Sequence, residues 1–479
     1  MSRNGTEYET KGRWYDVNLV RWYEDVMRPV GGWQKPVDTV ISGTTRGILT
    51  WRDNDNNRWC AVGSDQGLYV WNGGTVHDVT PGAYVTGRTD AIFSYGYGAG
   101  TYGSGTYGTA RTSGTAIDAT TWSFDTWGEN LVGVASHEEV IWEWTGDVST
   151  AAAAVANAPT AMAVLVTPER IMVALGAGGD PRKVQWSDQE DNTDWTPTTT
   201  NYAGDLLLTT EGLIRTALRV TGETLILTSS DAHAMEFIGQ PFVHGIRKAG
   251  SSCGVIGANA ASAFDGRAMW MGERSFFMYQ GNVTPVRCEV ADYVFNDINR
   301  TQASKIHTRH SSQFGEIWWF YCSADSDEID RYVIYNYREG HWSIGLMDRT
   351  CFGDEGVFRY PLAVDSSGYL YEHENGWDDD GSSRTVYAQS GPMELGNGDR
   401  VMAVTQVLPD ADMPAEMTLT MKGRYTPEGT ETTHGPYTLT PYTDVRLQAR
   451  QLAFRIDQAE DDDWRIGRFR LDATAGSRR

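Results

Sequence analysis

The residues with the plainest chemical potential are glycines in the spacing GxGxxG, which occurs at Gly98-Gly100-Gly103 and at Gly103-Gly105-Gly108. This spacing lets a backbone approach a pyrophosphate when a strand precedes it and a helix follows. Here the glycines alternate with Tyr and Thr, and no helical pattern follows them. The match is one of composition, so we expect neither nucleotide binding nor a bound cofactor.

Histidines and acidic loops are the next candidates. His307 and His310 stand three residues apart, but no third metal ligand lies near them in the sequence. The stretches DNDNN (53–57) and SDQEDNTDW (187–195) carry the oxygen ligands that calcium prefers, yet neither has EF-hand spacing. Asp and Asn are also typical of β-turns. We therefore expect no metal site, with turns at both acidic stretches.

No set of residues combines a nucleophile, a base and an orienting group, and no P-loop motif occurs. The stretch SDQEDNTDW is similar to the structural Asp-box of sialidase propellers, through Ser187, Asp188, Thr193 and Trp195. In that box the residues close a hairpin. We predict that the protein is not an enzyme, and that replacing Asp188 or Asp191 costs turn stability rather than turnover.

The elements that must position these residues are alternating aromatic strands, each preceded by a second apolar strand. Period-two alternation is typical of half-buried strands, and such pairs indicate hairpins. Apart from one gap of 73 residues, the spacing straddles the period of about 40–50 residues expected of propeller blades. The aromatic strands are GLYVW (67–71), VIWEW (140–144), KVQWS (183–187), AMEFIG (234–239), SFFMYQG (275–281), RYVIYNY (331–337) and GYLYE (368–372), with anchors at positions 71, 144, 186, 237, 279, 335 and 371.

We therefore predict an all-β protein: a β-propeller of six or seven blades with a C-terminal β-sandwich. A two-sheet sandwich of the same strands is the alternative for the propeller. The predicted parts are an N-terminal docking arm (1–36), the propeller (37–380) with a Gly/Tyr loop insertion (93–112), and the C-terminal sandwich (384–479). The acidic stretch WDDDGSS (377–383) is the linker.

Charge and composition exclude several functions. The formal net charge of -23 argues against stable nucleic-acid binding, which needs a Lys/Arg surface. The five cysteines have no zinc spacing and are expected as reduced, buried thiols, as in a protein made in a cytoplasm. The least polar long run (151–166) is too short and too broken to span a membrane, so no membrane insertion is expected.

Several stretches resemble one family. The C-terminal run from GRYTPEG to RLDATAGSRR (423–479) resembles the terminal β-sandwich of many phage tail proteins. RWYEDVMRPVGGWQK (21–35), VQWSDQEDNTDW (184–195) and GYGAGTYGSGTYGT (96–109) look like members of the same group. The group is similar to the tail hub or nozzle of short-tailed phages, also called the packaged-DNA stabilisation protein.

That resemblance implies a propeller-containing virion subunit, made in the host cytoplasm and assembled as a homohexameric ring. The ring would lie below the portal and its adaptor, carry fibres, spikes or a needle, and continue the channel that retains DNA and passes it on ejection. Two other classes stay open: a carbohydrate-binding or depolymerising propeller (an adhesin or glycosidase), and a cytoplasmic scaffold.

Aromatic residues of the arm and the insertion are expected at contacts with a neighbouring subunit or tail component, because the arm lacks neighbours of its own and tyrosine is typical of binding loops. We expect deletion of 1–36 to impair assembly while the propeller still folds, and deletion of 97–108 to weaken assembly only. A gate over the DNA channel and a mere spacer are the other readings of the insertion. The interface residues are Trp14, Trp22, Trp33, Tyr97, Tyr102 and Tyr107.

Overall fold

The computed structural model describes residues 1–92, 117–395, 398–412 and 416–476. Within these ranges there is one α-helix, α1 (Ala291–Asp297), and short 3-10 turns cover Glu7–Thr10, Ala177–Gly179 and Arg300–Lys305. None of the described helices is long and apolar enough to cross a membrane. The first strands are β1 (Trp14–Asn18), β2 (Val20–Tyr23), β3 (Val26–Pro29) and β4 (Trp33–Gln34).

In the described part of the chain, seven four-stranded antiparallel sheets follow in order as propeller blades. Blades 1 and 2 are β5 (Thr45–Arg52), β6 (Arg58–Ser64), β7 (Leu68–Trp71), β8 (Val76–Asp78), then β9 (Trp122–Trp127), β10 (Asn130–Ala135), β11 (Ile141–Trp144), β12 (Ala153–Ala154). Blades 3 and 4 are β13 (Ala163–Val166), β14 (Met172–Leu175), β15 (Lys183–Trp186), β16 (Gly204–Leu207), then β17 (Ile214–Val220), β18 (Glu223–Thr228), β19 (Asp231–Gly239), β20 (Val243–Ser251).

Blades 5 to 7 complete the ring. Blade 5 is β21 (Ala261–Phe264), β22 (Arg267–Met271), β23 (Phe276–Tyr279) and β24 (Val283–Val286). Blade 6 is β25 (His307–Ser311), β26 (Glu316–Tyr321), β27 (Arg331–Asn336) and β28 (His341–Leu346). Blade 7 is β29 (Cys351–Gly353), β30 (Leu362–Val364) and β31 (Leu370–His373), with β4 as its fourth strand.

The first strands of the blades form the inner wall of the propeller. Each contacts the first strand of the next blade, and β29 of blade 7 contacts β5 of blade 1. This unbroken series closes the ring, as radial stacking of blades requires.

The aromatic anchors confirm the predicted repeat. All seven lie in the third strand of a blade, from Trp71 in β7 to Tyr371 in β31. The predicted hairpins are therefore the second and third strands of each blade. Of the predicted six or seven blades, the described residues form seven.

The ring is closed by the N-terminal segment. Strand β4 pairs with β31 in antiparallel fashion, with Gln34 opposite Glu372 and Trp33 opposite His373. The predicted propeller boundary at residue 37 is therefore wrong, because residues 33–34 supply the outer strand of blade 7.

The C-terminal strands form the expected β-sandwich, but not alone. One sheet has the order β1-β32-β38-β35-β36, with β33 also on β38, and the other has the order β2-β3-β39-β34-β37. The C-terminal strands are β32 (Tyr387–Ser390), β33 (Met393–Glu394), β34 (Met402–Asp412), β35 (Met417–Arg424), β36 (Thr432–Thr438), β37 (Thr443–Ala449), β38 (Gln451–Gln458) and β39 (Arg465–Ala475).

The prediction that residues 1–36 form a separate docking arm is therefore wrong. Strand β1 pairs with β32, and β3 joins β39 through Met27 and Ile466. Val20 and Met27 are buried in the same apolar cluster as the sandwich residue Phe454. The arm has neighbours within its own chain, since its alternating strands complete both sheets.

Candidate functional site

The central channel is the most enclosed space on the propeller axis. Residues from the first strands of all seven blades line a cavity of about 390 Å³. Cavities of roughly 300–1,000 Å³ with a few placed polar groups are typical of binding sites. The channel therefore has the size and lining of a candidate binding site.

One mouth of the channel, where the first strands begin, is crossed by the base of the insertion. Ile92 and Ile117 exchange two backbone hydrogen bonds there, of 2.9 and 3.0 Å. The Ala91 amide donates to Gln302 Oε1 (2.9 Å), just before blade 6, and Arg215 of blade 4 donates to Asp118 (2.7 Å). Because these contacts reach the entries of well-separated blades, the base of the insertion caps this mouth.

Buried charges fasten the cap. Lys305 Nζ lies 2.6 Å from Asp90 and 3.6 Å from Glu328, and Arg46 holds Glu328 through bonds of 2.6 and 3.0 Å. Burial alone would raise the pKa of Glu328, but the Arg46 and Lys305 charges outweigh it and hold that pKa below its ordinary value. The carboxylate thus stays ionised between two cations.

His307 is the one imidazole among the channel-lining residues. It is buried, stacks on Phe320 at 4.8 Å, and neither ring nitrogen has a hydrogen-bond partner among the described residues. Burial, helped by the Arg46 charge, lowers the pKa of His307 to about 3. The ring is therefore neutral at physiological pH.

Further along the channel, an ion pair bridges blades 2 and 4. Arg219 pairs with Asp125, and both bind the backbone of Val166 on blade 3, at 2.8 and 2.7 Å. The pair provides hydrogen-bond partners for the backbone amide and carbonyl of Val166 at the end of β13. Its atoms already have partners, so it is a structural strut.

A second buried charged group, here named the closure cluster, joins blades 6 and 7 to the N-terminal strands. Arg21 is 1% exposed, contacts Glu374 at 2.7 and 3.1 Å, and lies 3.3 Å from Glu316. Arg309 lies 3.7 Å from Glu374, and its nitrogens make no hydrogen bond among the described residues. Despite burial, Arg21 and Arg309 lower the pKa of Glu374, whereas burial raises the pKa of Glu316.

Trp33 sits at the edge of this cluster. Its ring stacks on His373 at 5.1 Å and receives the guanidinium groups of Arg349 and Arg384, at 4.9 and 5.1 Å. Arg349 Nε donates to His373 Nε2 (2.8 Å), and burial with that neighbouring charge holds the pKa of His373 well below its ordinary value. Cation–π contacts of this kind hold the closing strand in place.

The predicted interface tryptophans pack within the chain. Trp14 contacts Trp22 (6.3 Å between ring centroids), Phe454 (5.5 Å) and Phe469 (6.3 Å). Trp14 and Trp22 are half-buried and Trp33 is buried. The reason for placing them at an interface, a lack of intrachain neighbours, is therefore wrong. Tyr97, Tyr102 and Tyr107 lie outside the described residues.

The acidic stretches form turns. Asp191 accepts from the amide and hydroxyl of Thr193 (2.9 and 2.7 Å), and these bonds lower its pKa. Asp188 accepts from the Tyr202 amide at 2.7 Å. Asp53 accepts from the Trp59 indole at 2.9 Å. No cluster of three or more potential metal ligands occurs among the residues described.

His307 and His310 do not act together. They point to opposite sides of β25, since His307 is buried against Phe320 while His310 is half-buried near Asp354, 3.3 Å away. The closure cluster was missed in the sequence, because its members are single Arg and Glu residues hundreds of positions apart.

The fold and site define a class: a seven-bladed β-propeller with a capped channel, locked to a β-sandwich built from both ends of the chain. No protein-family model and no curated protein matches the sequence. Among solved structures, virginiamycin B lyase from Staphylococcus aureus is similar at 7% identity over 71% of this chain and 97% of the lyase, with a TM-score of 0.44.

Two further similar structures are propeller proteins of other kinds. The Pan2 WD40 domain from Neurospora crassa has 9% identity, covering 74% of this chain and 97% of that domain, with a TM-score of 0.42. BamB from Moraxella catarrhalis has 10% identity, covering 70% and 97%, with a TM-score of 0.36. The strand pairings define the propeller, and these similarities say nothing about function.

Proposed function

We propose that this protein is a structural subunit of a phage tail, which forms the hub or nozzle ring that retains packaged DNA and lets it pass on ejection. The observation that carries the proposal is the resemblance of the C-terminal run 423–479 to phage tail proteins. This run also packs in one domain with a second segment that shares the resemblance. The segment 21–35, which shares the resemblance, supplies β2 and β3 to the sandwich that contains this run.

The pairing matters because the two resembling segments stand at opposite ends of the sequence. Met27 of β3 lies opposite Ile466 of β39, and both are fully buried or nearly so. Two segments that form one hydrophobic unit are constrained together, which supports treating the resemblance as one of a whole domain. The partners implied are an adaptor above the ring and fibres, spikes or a needle outside it.

A conduit for DNA needs a surface that does not grip phosphate, and a net charge of -23 meets that need. The DNA path in this proposal is the central opening of the ring, between subunits. The propeller's own channel is unsuitable, because its cavity of about 390 Å³ is capped at one mouth.

The proposal is for a non-enzymatic protein. Among the described residues, charged groups of the channel such as Arg219, Asp125 and Arg46 are engaged in ion pairs, and burial keeps His307 neutral. A glycosidase would require a channel carboxylate whose replacement abolishes cleavage of a glycan. Detection of such cleavage by the pure protein would overturn this part of the proposal.

Native mass spectrometry and negative-stain images of the purified protein test the proposal directly. A ring of several subunits, each of 53.1 kDa, that binds to tails lacking this protein is the expected result. A protein that stays monomeric at all concentrations and does not bind such tails would contradict it.

A further inference from the structure

Two surface features of the propeller differ in form and in charge. One is a protruding hairpin end, residues 238–242 between β19 and β20, here named the blade 4 tip. The other is a cleft of about 360 Å³ between blades 1 and 7, here named the 1/7 cleft. We infer that the blade 4 tip of one copy inserts into the 1/7 cleft of a second copy, an inference that rests on the proposed ring.

The blade 4 tip exposes large apolar side chains. Phe242 is 74% exposed and Ile238 is 53% exposed. Next to Phe242, the buried Val243 has φ of +60°, a left-handed conformation that β-branched residues rarely adopt. Such strain persists where surrounding structure enforces it, commonly at functional positions.

The surroundings of the tip are acidic. Gln240 contacts the Asn201 carbonyl at 3.4 Å, and Asn201 donates to Asp194 at 2.9 Å. The tip therefore stands beside the acidic stretch 187–195, and the exposed Glu236 lies on its own hairpin. The tip thus presents an aromatic side chain framed by carboxylates.

The 1/7 cleft has the opposite character. Its floor is Trp71 stacked on Phe358 (4.8 Å between ring centroids), and its rim carries Arg58 and Arg359. Burial raises the pKa of Glu372, the cleft's own carboxyl, while the nearby Arg359 charge lowers it. The exposed rim of the cleft is therefore basic, on a protein whose net charge is -23.

An orphaned donor marks the floor of the cleft. The indole nitrogen of Trp71 is buried and has no hydrogen-bond partner among the described residues. A buried donor without a partner costs about 1–3 kcal/mol, which favours an incoming carbonyl only when the cleft opens far enough to expose the nitrogen. The ring faces of Trp71 and Phe358 are covered, at 2% and 7% exposure, so a sugar has no open face to stack on.

The positions suit head-to-tail contacts around a closed ring. Three blades separate the features in one direction, so they stand on opposite sides of the propeller. In antiparallel blades the first strand ends where the second begins and the third ends, which puts both features on the same face. A heterologous contact closes into a ring when a patch on one side of each subunit meets a different patch on the next.

The test compares Phe242→Ala and Arg359→Glu with the wild type by light scattering and native mass spectrometry. We expect either change to raise the subunit dissociation constant at least about tenfold, the effect of losing a central anchor. Tyr442→Ala is the matched control, since Tyr442 is a 69% exposed aromatic residue on the sandwich, and it should leave the ring unchanged. Combining Glu236→Arg with Arg359→Glu should recover part of the association.

The outcomes separate the two proposals. A wild-type ring that survives both single changes would overturn the inference and leave the proposed tail function standing. A wild type that never forms rings would contradict both. Circular dichroism confirms that the variants fold, and binding of a glycan array that Arg359→Glu abolishes, without any effect on assembly, would also overturn the inference.

Discussion

The two sides of the propeller are built differently. Between blades 1 and 4, and between blades 7 and 1, each junction has its own separate apolar cluster. Blades 5 and 6, parts of blades 4 and 7 and the whole sandwich instead share one continuous cluster, and the buried closure cluster lies within that side. A repeat can be stabilised junction by junction, but closing a ring with a distant segment requires contacts that no single repeat contains.

The strongest way to break this contrast is to delete residues 1–36. The deletion removes β1–β4 and Arg21, so it opens blade 7, takes three strands from the sandwich and leaves Glu374 buried without its main partner. We now expect the remaining chain to fail to fold, in place of the folded propeller that the sequence suggests. The measurement is solubility and cooperative unfolding of 37–479.

Supplying residues 1–36 as a separate peptide should restore a cooperative transition. A soluble chain of 37–479 that unfolds cooperatively without the peptide would show that closure is dispensable.

The next largest effect is expected from Glu374→Gln, which removes the negative charge that faces the buried Arg21 and Arg309. Removing one partner of a buried ion pair costs about 3–5 kcal/mol of unfolding free energy. Glu190→Gln is the control, because the Glu190–Arg170 pair (2.8 Å) is exposed and should contribute less than about 1 kcal/mol. Equal losses in guanidinium denaturation would contradict the contrast.

A pH titration sharpens the comparison within the channel. The folded pKa of His307 is about 3, below the ordinary 6.5, so the unfolded chain binds more protons between these values. The stability that this group contributes is therefore present above pH 6.5 and lost as the pH falls toward 3. His307→Phe, which keeps the stack on Phe320, should reduce the slope of unfolding free energy by up to about 1.4 kcal/mol per pH unit in that window.

The measurement is chemical denaturation of wild type and His307→Phe at several pH values from 7 down to 4. Unchanged slopes would mean that the folded imidazole binds protons as readily as it does in the unfolded chain, which would contradict the lowered pKa.

The smallest effect is expected at a turn of blade 3. Asp191→Ala removes two local hydrogen bonds to Thr193 and should cost less than about 1 kcal/mol. Its depressed pKa implies that this contribution is present above the ordinary Asp value and disappears as the pH falls below it. A loss as large as that of Glu374→Gln would place the turn among the main supports of the fold.

Local patterns predicted the blades well. The alternating anchors, such as Trp186 and Tyr335, identified the third strand of every blade, because a half-buried strand has apolar residues at every second position. The first and fourth strands carry weaker patterns, since first strands face the channel and fourth strands face solvent.

The sequence could not show how the ends of the chain pair. Trp14 and Trp33 read as exposed aromatic residues, because their partners Phe454 and His373 lie hundreds of positions away. The channel could not be predicted for the same reason, because its lining residues come from all seven blades. Non-local partners leave no periodic signal.

Ring closure by β4 also means that this strand and its partner β31 are synthesised far apart in time. The closing strand at 33–34 is among the first parts of the propeller to leave the ribosome, and its partner at 372–373 is the last. At about 5–20 residues per second, the early strand waits roughly 20–70 s with an unpaired edge. Because exposed edges template aggregation, the newborn chain carries this unpaired strand until translation is nearly complete.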